Sequence, residues 1–406
     1  MRTISLTEHE SKAEALSERE LAQLLATKFV GVSPRPDGLY DLRAGSTVGT
    51  VVFADLRLLI RPKVGLPNVF FLLFYGGDLT VWGEESFPYV EDDFLQAIAW
   101  LVEAETRRAA STGLVRDYRE HEEALATVRG RIDLGAQIRR RQGRAIPLDC
   151  RYQEYGEDTE LNRVVKAALR RLLCVPGLDG QLALDLRHHQ RLFAGVADVD
   201  YPPSAVPTLA FNRLNEAWRP AARLAQLVLR ADSVRDATGS FEAISFTVDM
   251  NRLFERFVET VAREESRRRG WELEAQGTRR LTESVAMRPD LILRRDAVDC
   301  AVGDAKYKRL APADWPHADL YQLLAYCVAL RLRYGLLIYA DAEQPRSETV
   351  HEAGVTIDIV GVDLAARPAV VLSETRGAAG RLIGHARAHW PTSSALRERE
   401  GPTARD

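Results

Sequence analysis

The chain has 406 residues, 46% hydrophobic and 28% charged, with a formal net charge of −3. At roughly 100–200 residues per domain that length gives two or three domains with cores of their own, and the composition excludes disorder as the dominant state. The near-neutral balance also lacks the basic excess of a nucleic-acid binder. Only six of the 55 basic residues are lysines (Lys12, Lys28, Lys63, Lys166, Lys306, Lys308), and two of those are nearly adjacent. Four separated cysteines with no CxxC pair argue against a zinc site or a disulfide framework. The N-terminus is acidic and polar, unlike a signal peptide, and the longest apolar run, Val69 to Tyr75, is far short of the ~20 residues that span a bilayer. The expectation is a soluble cytoplasmic protein without a membrane partner.

In chain order, residues 15–30 read as a short helix. Segments near 39–42, 50–61, 69–75 and 79–83 cluster β-branched and aromatic residues between Gly, Pro and Asp, and predict a β-rich N-terminal domain over 1–112. A helix follows over Asp92–Ala109, and Ala110–Gly113 is the expected boundary. Residues 113–235 read as mainly helical: Thr159–Cys174 places Leu161, Val165, Ala168 and Leu172 in phase behind an Asp158–Thr159 cap, and Leu182–Phe193 and Asn212–Leu229 repeat the period. The last region, 236–406, changes rhythm. Asp249–Arg268 is helical, Leu291–Leu293 and Cys300–Tyr307 form a hairpin, Ala318–Arg333 is a second helix, and Gly335–Ala340 and Val355–Val360 are strands. The whole is a multi-domain α+β chain ending in an α/β layer domain.

Asp304 and Lys306 stand two apart in a strand, so their side chains leave one face. Asp290, in Arg288-Pro289-Asp290, begins the partner strand of a hairpin whose short turn brings it beside Asp304. Pro-Asp followed by Asp-x-Lys recurs by chance in long chains; here it sits on a hairpin between two helices. Two converging carboxylates with a lysine in line suit Mg²⁺, which prefers oxygen ligands and keeps waters and substrate phosphate. Glu255, on the preceding helix, is the candidate third carboxylate and metal ligand, or else a solvated helix residue between two arginines. Gln322 reads either as a holder of water or DNA backbone, or as a cap on a neighbouring carbonyl. Lys308 shares the face of Lys306, facing a phosphate or lying at an exposed strand end.

Phe246, Asp249, Met250, Asn251, Phe254 and Glu255, then Arg-Pro-Asp, then Asp304-Ala-Lys306-Tyr-Lys308, then Asp319-x-Tyr321-Gln322-x-x-Ala325-Tyr326 make an ordered set. With Ile60-Arg61-Pro62-Lys63, Arg129-Gly130-Arg131-Ile132 and Thr159-Glu160-Leu161-Asn162-Arg163-Val164-Val165-Lys166, it resembles the McrC-type subunit of modified-cytosine restriction systems over most of residues 50–340. The resemblance implies a PD-(D/E)xK restriction-endonuclease-like domain over 236–406, with Asp290, Asp304 and Lys306 as matching catalytic residues. Glu255 and Gln322 join them as further site candidates. It implies Mg²⁺-dependent hydrolysis of double-stranded DNA carrying modified cytosine, and a hexameric McrB-type AAA+ GTPase partner, bound through the N-terminal region, whose GTP hydrolysis the subunit stimulates. Ala305 stands where Thr or another small residue is expected; only its carbonyl would touch metal.

The chain contains no Gly-Lys dipeptide, so GTP is expected on the partner. Arg139-Arg140-Arg141-Gln142-Gly143-Arg144 and Arg267-Arg268-Arg269 are the local basic clusters. Two readings compete with the restriction subunit: a stand-alone repair nuclease of the same fold, and a catalytically silent activator of a AAA+ GTPase.

Overall fold

The computed structural model describes residues 1–27, 29–75, 93–142, 144, 146–230, 233–235, 242–311, 316–342 and 344–388. The chain is a mixed α/β protein of two compact units, one made of residues 1–61 and 88–247, the other of 62–87 and 248–406. The expected parts 1–112 and 113–235 therefore share one unit, and Ala110–Gly113 is no boundary: the Gly113 carbonyl accepts the Trp218 indole N–H at 2.9 Å.

The first unit opens with β1 (Arg2–Thr7), β2 (Ser11–Glu14), α1 (Glu18–Thr27), β3 (Val30–Pro34), β4 (Tyr40–Ala44), β5 (Thr47–Val52) and β6 (Leu56–Arg61). α2 (Leu66–Phe74) belongs to the second unit. The first resumes with α3 (Phe94–Ala110), β7 (Asp117–Leu125), β8 (Arg131–Ile132), α4 (Leu134–Arg141), β9 (Leu148–Gly156), α5 (Glu160–Leu173), α6 (Gly180–Leu192), α7 (Arg219–Arg230), β10 (Ser233–Arg235) and β11 (Glu242–Asp249). One sheet runs β1-β6-β5-β11-β10 and a second β2-β4-β3. Asp93 caps α3 through the Leu95 and Gln96 N–H groups, while its carboxylate also takes Arg57 and the Thr50 hydroxyl. In α5, Thr159 is the cap, buried Asn162 donates to the Val115 and Glu157 carbonyls, and Lys166 donates to the Val196 carbonyl. That family-like segment is thus a packing device.

One expectation here is incomplete and another fails. The region 113–235 contains a third sheet, β7-β9-β8, in which β7 and β9 pair over nine residues from Asp117↔Gly156 to Leu125↔Leu148. Both faces of β7 are largely exposed, so no alternating apolar signal exists in Asp-Tyr-Arg-Glu-His-Glu-Glu-Ala-Leu. Cross-strand pairs hold it: Tyr118 with Tyr155, His121 stacked on Tyr152, Glu122 with Arg151. The run Val69–Tyr75, expected as strand, forms the end of α2 and its C-cap, Tyr75. A continuous apolar run has no usable period, and the decisive cue is Pro67 in the first helical turn. Val69, Phe70, Leu72 and Phe74 are buried, as a core segment requires. The segment 79–83 lies outside the described residues.

The second unit adds α8 (Met250–Arg268), β12 (Glu272–Ala275), β13 (Arg279–Arg280), β14 (Ala286–Met287), β15 (Leu291–Arg295), β16 (Val298–Leu310), α9 (His317–Leu330), β17 (Tyr334–Ala342), β18 (Arg346–Val350), β19 (Val355–Gly361) and α10 (Pro368–Ala388). Its six-stranded sheet runs β12-β15-β16-β17-β19-β18, parallel across β16, β17 and β19 and antiparallel elsewhere. Strand alternation sorts the faces. Val302, Leu337, Tyr339, Ile357 and Ile359 form a core with Leu323, Tyr326 and Cys327 of α9. On the opposite face Tyr307 meets Phe254 of α8, and Tyr334 stacks on His385 of α10. α2 packs on α8 through Phe71 and Tyr75 against Phe257, and Asn68 donates to the Leu364 and Ala366 carbonyls. Among the described residues no helix is long and apolar enough to cross a membrane.

Gly49 of β5 has φ +129°, and a Cβ there would stand 2.1 Å from the Phe246 carbonyl oxygen and 2.8 Å from the Thr247 Cα. Neither backbone atom can yield alone. Gly49→Ala is expected to destabilise the protein by about 2–4 kcal/mol, combining backbone strain with overpacking. Chemical denaturation of the purified chain measures it; an unchanged midpoint would show that β5 and β11 can separate freely.

Candidate active site

The site begins with two strands of unequal length. Leu291, the first residue of β15, pairs with Gly303, whereas β16 continues to Leu310. Beyond Gly303 this edge of β16 has lost its antiparallel partner. The next free N–H, that of Ala305, is taken by a side chain: Asp290 Oδ2 accepts it at 2.9 Å. The Asp290 carbonyl accepts the Gln276 N–H at 3.0 Å, which fixes the backbone behind the carboxylate. Asp290 is thereby held beside Asp304, close enough for the two carboxyl groups to share a hydrogen bond. Asp304 is only 3% exposed. Lys306, two residues on and on the same face, places Nζ 2.5 Å from Asp304 Oδ2.

Electrostatics follow from this burial. Desolvation, then the charge of Asp304, pushes the Asp290 carboxyl up to about 7, against the pull of the Ala305 N–H. Burial also raises Asp304, opposed by Lys306. For Lys306 burial works downward, but the Asp304 carboxylate outweighs it and the ammonium is held above its usual range. Glu255 on α8 is raised by burial, with Lys306 opposing and Asp304 adding to the effect. One ammonium thus faces a surplus of carboxylates in a low-dielectric setting. Among the described residues no hydrogen-bond donor of good geometry reaches the buried Asp304 Oδ2.

The structure brings Asp290, Asp304 and Lys306 together and draws Glu255 into their field. The three-carboxylate metal set of Asp290, Asp304 and Glu255 is not assembled, however: among the described residues no three His, Cys, Asp or Glu side chains are gathered to hold a metal ion. Glu255 lies on α8, near enough for its charge to act on Asp290. Asp290 and Asp304 nevertheless suit a hard cation that is satisfied by two carboxylates plus water and phosphate. Gln322 is exposed, and its amide donates to the Tyr326 hydroxyl at 2.9 Å rather than to any carboxylate. Lys308 pairs with both oxygens of Asp319 at 3.2 Å.

Three residues of this neighbourhood escaped the sequence reading. Tyr326, raised by burial and by the charge of Asp304, carries the Gln322 amide. Asp319 and Tyr339 are joined by a 2.6 Å hydrogen bond from the Tyr339 hydroxyl. The signal for Asp319 and Tyr326 was present in Asp-x-Tyr-Gln-x-x-Ala-Tyr; nothing in the apolar strand Gly335–Ala340 marks Tyr339. The arginine clusters are partly neutralised, Arg141 by Asp149 at 3.4 Å and Arg269 by Glu265 at 2.7 Å.

With this geometry established, the comparisons carry weight. The family model described as "McrBC 5-methylcytosine restriction system component" matches residues 42–340. The chain belongs to that family. A curated relative, the type IV methyl-directed restriction enzyme EcoKMcrBC of Escherichia coli K12, is 20% identical over 330 residues, covering 75% of this chain and 94% of that protein. A chain of the refined half-complex from the tetradecameric assembly of Thermococcus gammatolerans McrB AAA+ hexamers with bound McrC matches with a TM-score of 0.66 and 19% identity. That match covers 94% of this chain and all of the other, and shows a shared fold. A chain of the cryo-EM structure of the Thermococcus gammatolerans McrBC complex matches at 22% identity, covering 65% and 88% of the two chains, with a TM-score of 0.44.

An ordinary aspartate ionises near 3.8, whereas folded Asp290 holds its proton to about 7. The folded state binds more protons across that interval, so stability is lost as pH rises from ~4 through ~7. In chelator, Asp290→Asn is expected to melt higher than wild type at pH 8 and to lose the advantage at pH 4. Thermal melts across pH check this, and equal melting at pH 8 would show that the carboxyl pair carries no burial penalty.

Proposed function

We propose that this chain is the DNA-cleaving subunit of a GTP-dependent restriction complex directed at modified cytosine, and that its C-terminal unit is a PD-(D/E)xK nuclease. One observation carries the reading: half-buried Asp290 beside buried Asp304, with the Lys306 ammonium 2.5 Å from Asp304, at the open edge of β16. Membership of the McrBC family and the name of the Escherichia coli relative support restriction as the setting. The Thermococcus assembly, with McrC bound to McrB AAA+ hexamers, supports a partner of that kind, and the missing Gly-Lys dipeptide leaves GTP binding to it.

Asp290 and Asp304 would hold Mg²⁺. When bound, the ion neutralises charge on the phosphoryl group and makes water a better nucleophile. The chain's own residues do the rest. Asp290 and Asp304 set the position of the phosphate relative to the strand end. Lys306 donates to oxygens whose negative charge grows as water adds to phosphorus and the bridging P–O bond breaks, with a proton ending on the leaving oxygen. An ammonium on a flexible stem can follow that change in a way a planar guanidinium cannot.

The experiment reconstitutes the chain with its McrB-type partner, GTP, Mg²⁺ and methylated or unmethylated duplex. Expected is Mg²⁺-dependent cleavage of the methylated duplex that requires GTP and partner. Asp304→Ala should abolish cutting while leaving stimulation of GTP hydrolysis intact. Robust cutting by the isolated chain would favour the repair-type reading; a complex that hydrolyses GTP faster but never nicks DNA would establish the silent activator. In the absence of DNA, Mg²⁺ should raise the melting temperature of wild type at pH 8 but not that of Asp304→Ala.

A further inference from the structure

Asp319 is a carboxylate that the chemistry above leaves without a task. It lies in the first turn of α9 and is 7% exposed. Such a residue commonly serves the helix terminus, by capping N–H groups or meeting the dipole. Here its identified donors come from two strands instead: Lys308 Nζ of β16, 3.2 Å from each oxygen, and the Tyr339 hydroxyl of β17, 2.6 Å from Oδ2. A buried carboxylate is costly unless paired and hydrogen-bonded, and this one is both.

The identity of those donors matters. Lys308 is two residues beyond Lys306, and Tyr339 is the register partner of Lys306 across the parallel ladder. The ladder shifts register between Lys306 and Arg309, so backbone pairing is interrupted just past Lys306 before it resumes at Arg309↔Asp341. Asp319 ties Lys308, within that irregularity, and Tyr339, at the last regular pair before it, to a single helical turn. Its charge also reaches Asp304 and Lys306.

We propose that Asp319 is a positioning residue for Lys306: with Lys308 and Tyr339 it forms a brace that leaves the Lys306 ammonium directed at Asp304 and at a phosphate bound there. The inference rests on the nuclease reading. It gives Lys308 the role of a strut, in place of the phosphate contact expected from its strand position.

The test uses the reconstituted complex with GTP, Mg²⁺ and methylated duplex. Asp319→Asn and Tyr339→Phe are expected to lower kcat for cleavage by about 10- to 100-fold, the range typical of residues that orient a reacting group, with KM for DNA unchanged. Asp319→Glu should recover part of the loss, and GTPase stimulation should be untouched. In a Lys306→Gln background the same substitutions should cost nothing further, because they act through the lysine. Undiminished loss in that background, wild-type kcat in folded variants, or a rise in KM alone would overturn the proposal. If Asp319→Asn does not fold, Tyr339→Phe, which keeps the ring, decides by the same cycle. A second readout needs neither metal nor cleavage. Acylation of lysines in the isolated metal-free chain, read by mass spectrometry, should become several-fold faster at Lys306 in either variant and stay unchanged at Lys12; an unchanged Lys306 rate overturns the brace. If wild type never cuts DNA, the nuclease reading falls while the acylation result still judges the brace.

Discussion

The hydrogen bond from the Ala305 N–H to the Asp290 carboxylate is the interaction on which the site depends. A buried backbone donor must find an acceptor, and a sheet ordinarily supplies one from the next strand. Because β15 starts only at Leu291 while β16 continues to Leu310, the acceptor at this position is a side chain. The need to satisfy one amide therefore draws a carboxylate into the sheet edge, next to a second carboxylate that strand alternation has already placed there. Two groups that repel each other are held together by backbone pairing on either side, Gln276 with Asp290 and Leu291 with Gly303. The strain is electrostatic, and it appears as a carboxyl that keeps its proton to about 7.

On the proposed reading that arrangement serves a cation. Lys306 supplies one positive charge, already engaged with Asp304, while Asp290 and Glu255 remain elevated by burial. Replacing the proton of Asp290 by a divalent ion would remove the repulsion and leave the lysine free to meet substrate. Lysine scarcity acquires meaning here. Of six lysines, Lys306 sits on the acidic pair, Lys308 braces the same strand through Asp319, and Lys166 closes a helix against the Val196 carbonyl and Asp198. At Lys306 a compact charge on a flexible stem suits the proposed task better than a planar guanidinium.

Much of the C-terminal unit was legible in the sequence because its elements carry strong local signals. α8 forms where Asp249–Arg268 was expected to be helical, with Asp249 as its cap, and Leu291 and Val302 fall in the expected strands. The pairing of Asp290 with Asp304 followed from hairpin geometry and alternation. What could not be read depends on tertiary context. α10 buries Val371, Thr375, Ala378, Leu382 and Ile383 in helical period, but Gly377, Gly380 and Gly384 dilute the pattern. β7 buries too little on either face to alternate, so its signal lies in cross-strand pairs invisible along one strand. Glu255 was placed on the right helix, and its charge does reach Asp290, but whether its carboxylate joins the pair depends on how that helix packs. Tyr339 reads as an ordinary apolar strand residue until α9 sets Asp319 over it.

The distribution of arginine completes the physical picture. Arg279 and Arg294 are spent on Glu274 and Asp299, Arg57 on Asp93, Arg141 on Asp149 and Arg269 on Glu265. These guanidiniums hold the chain's own elements together, so the positive charge left for a polyanion is smaller than the 55 basic residues suggest, and the net charge is −3. Non-specific DNA affinity scales with the phosphates a surface neutralises and collapses with salt when they are few. On the proposed reading, attraction for the backbone is concentrated at one acidic pair that becomes phosphate-seeking only when it holds a cation. A nuclease built this way does not gather duplex for itself; cutting is conditional on a partner that delivers the strand to the open edge of β16.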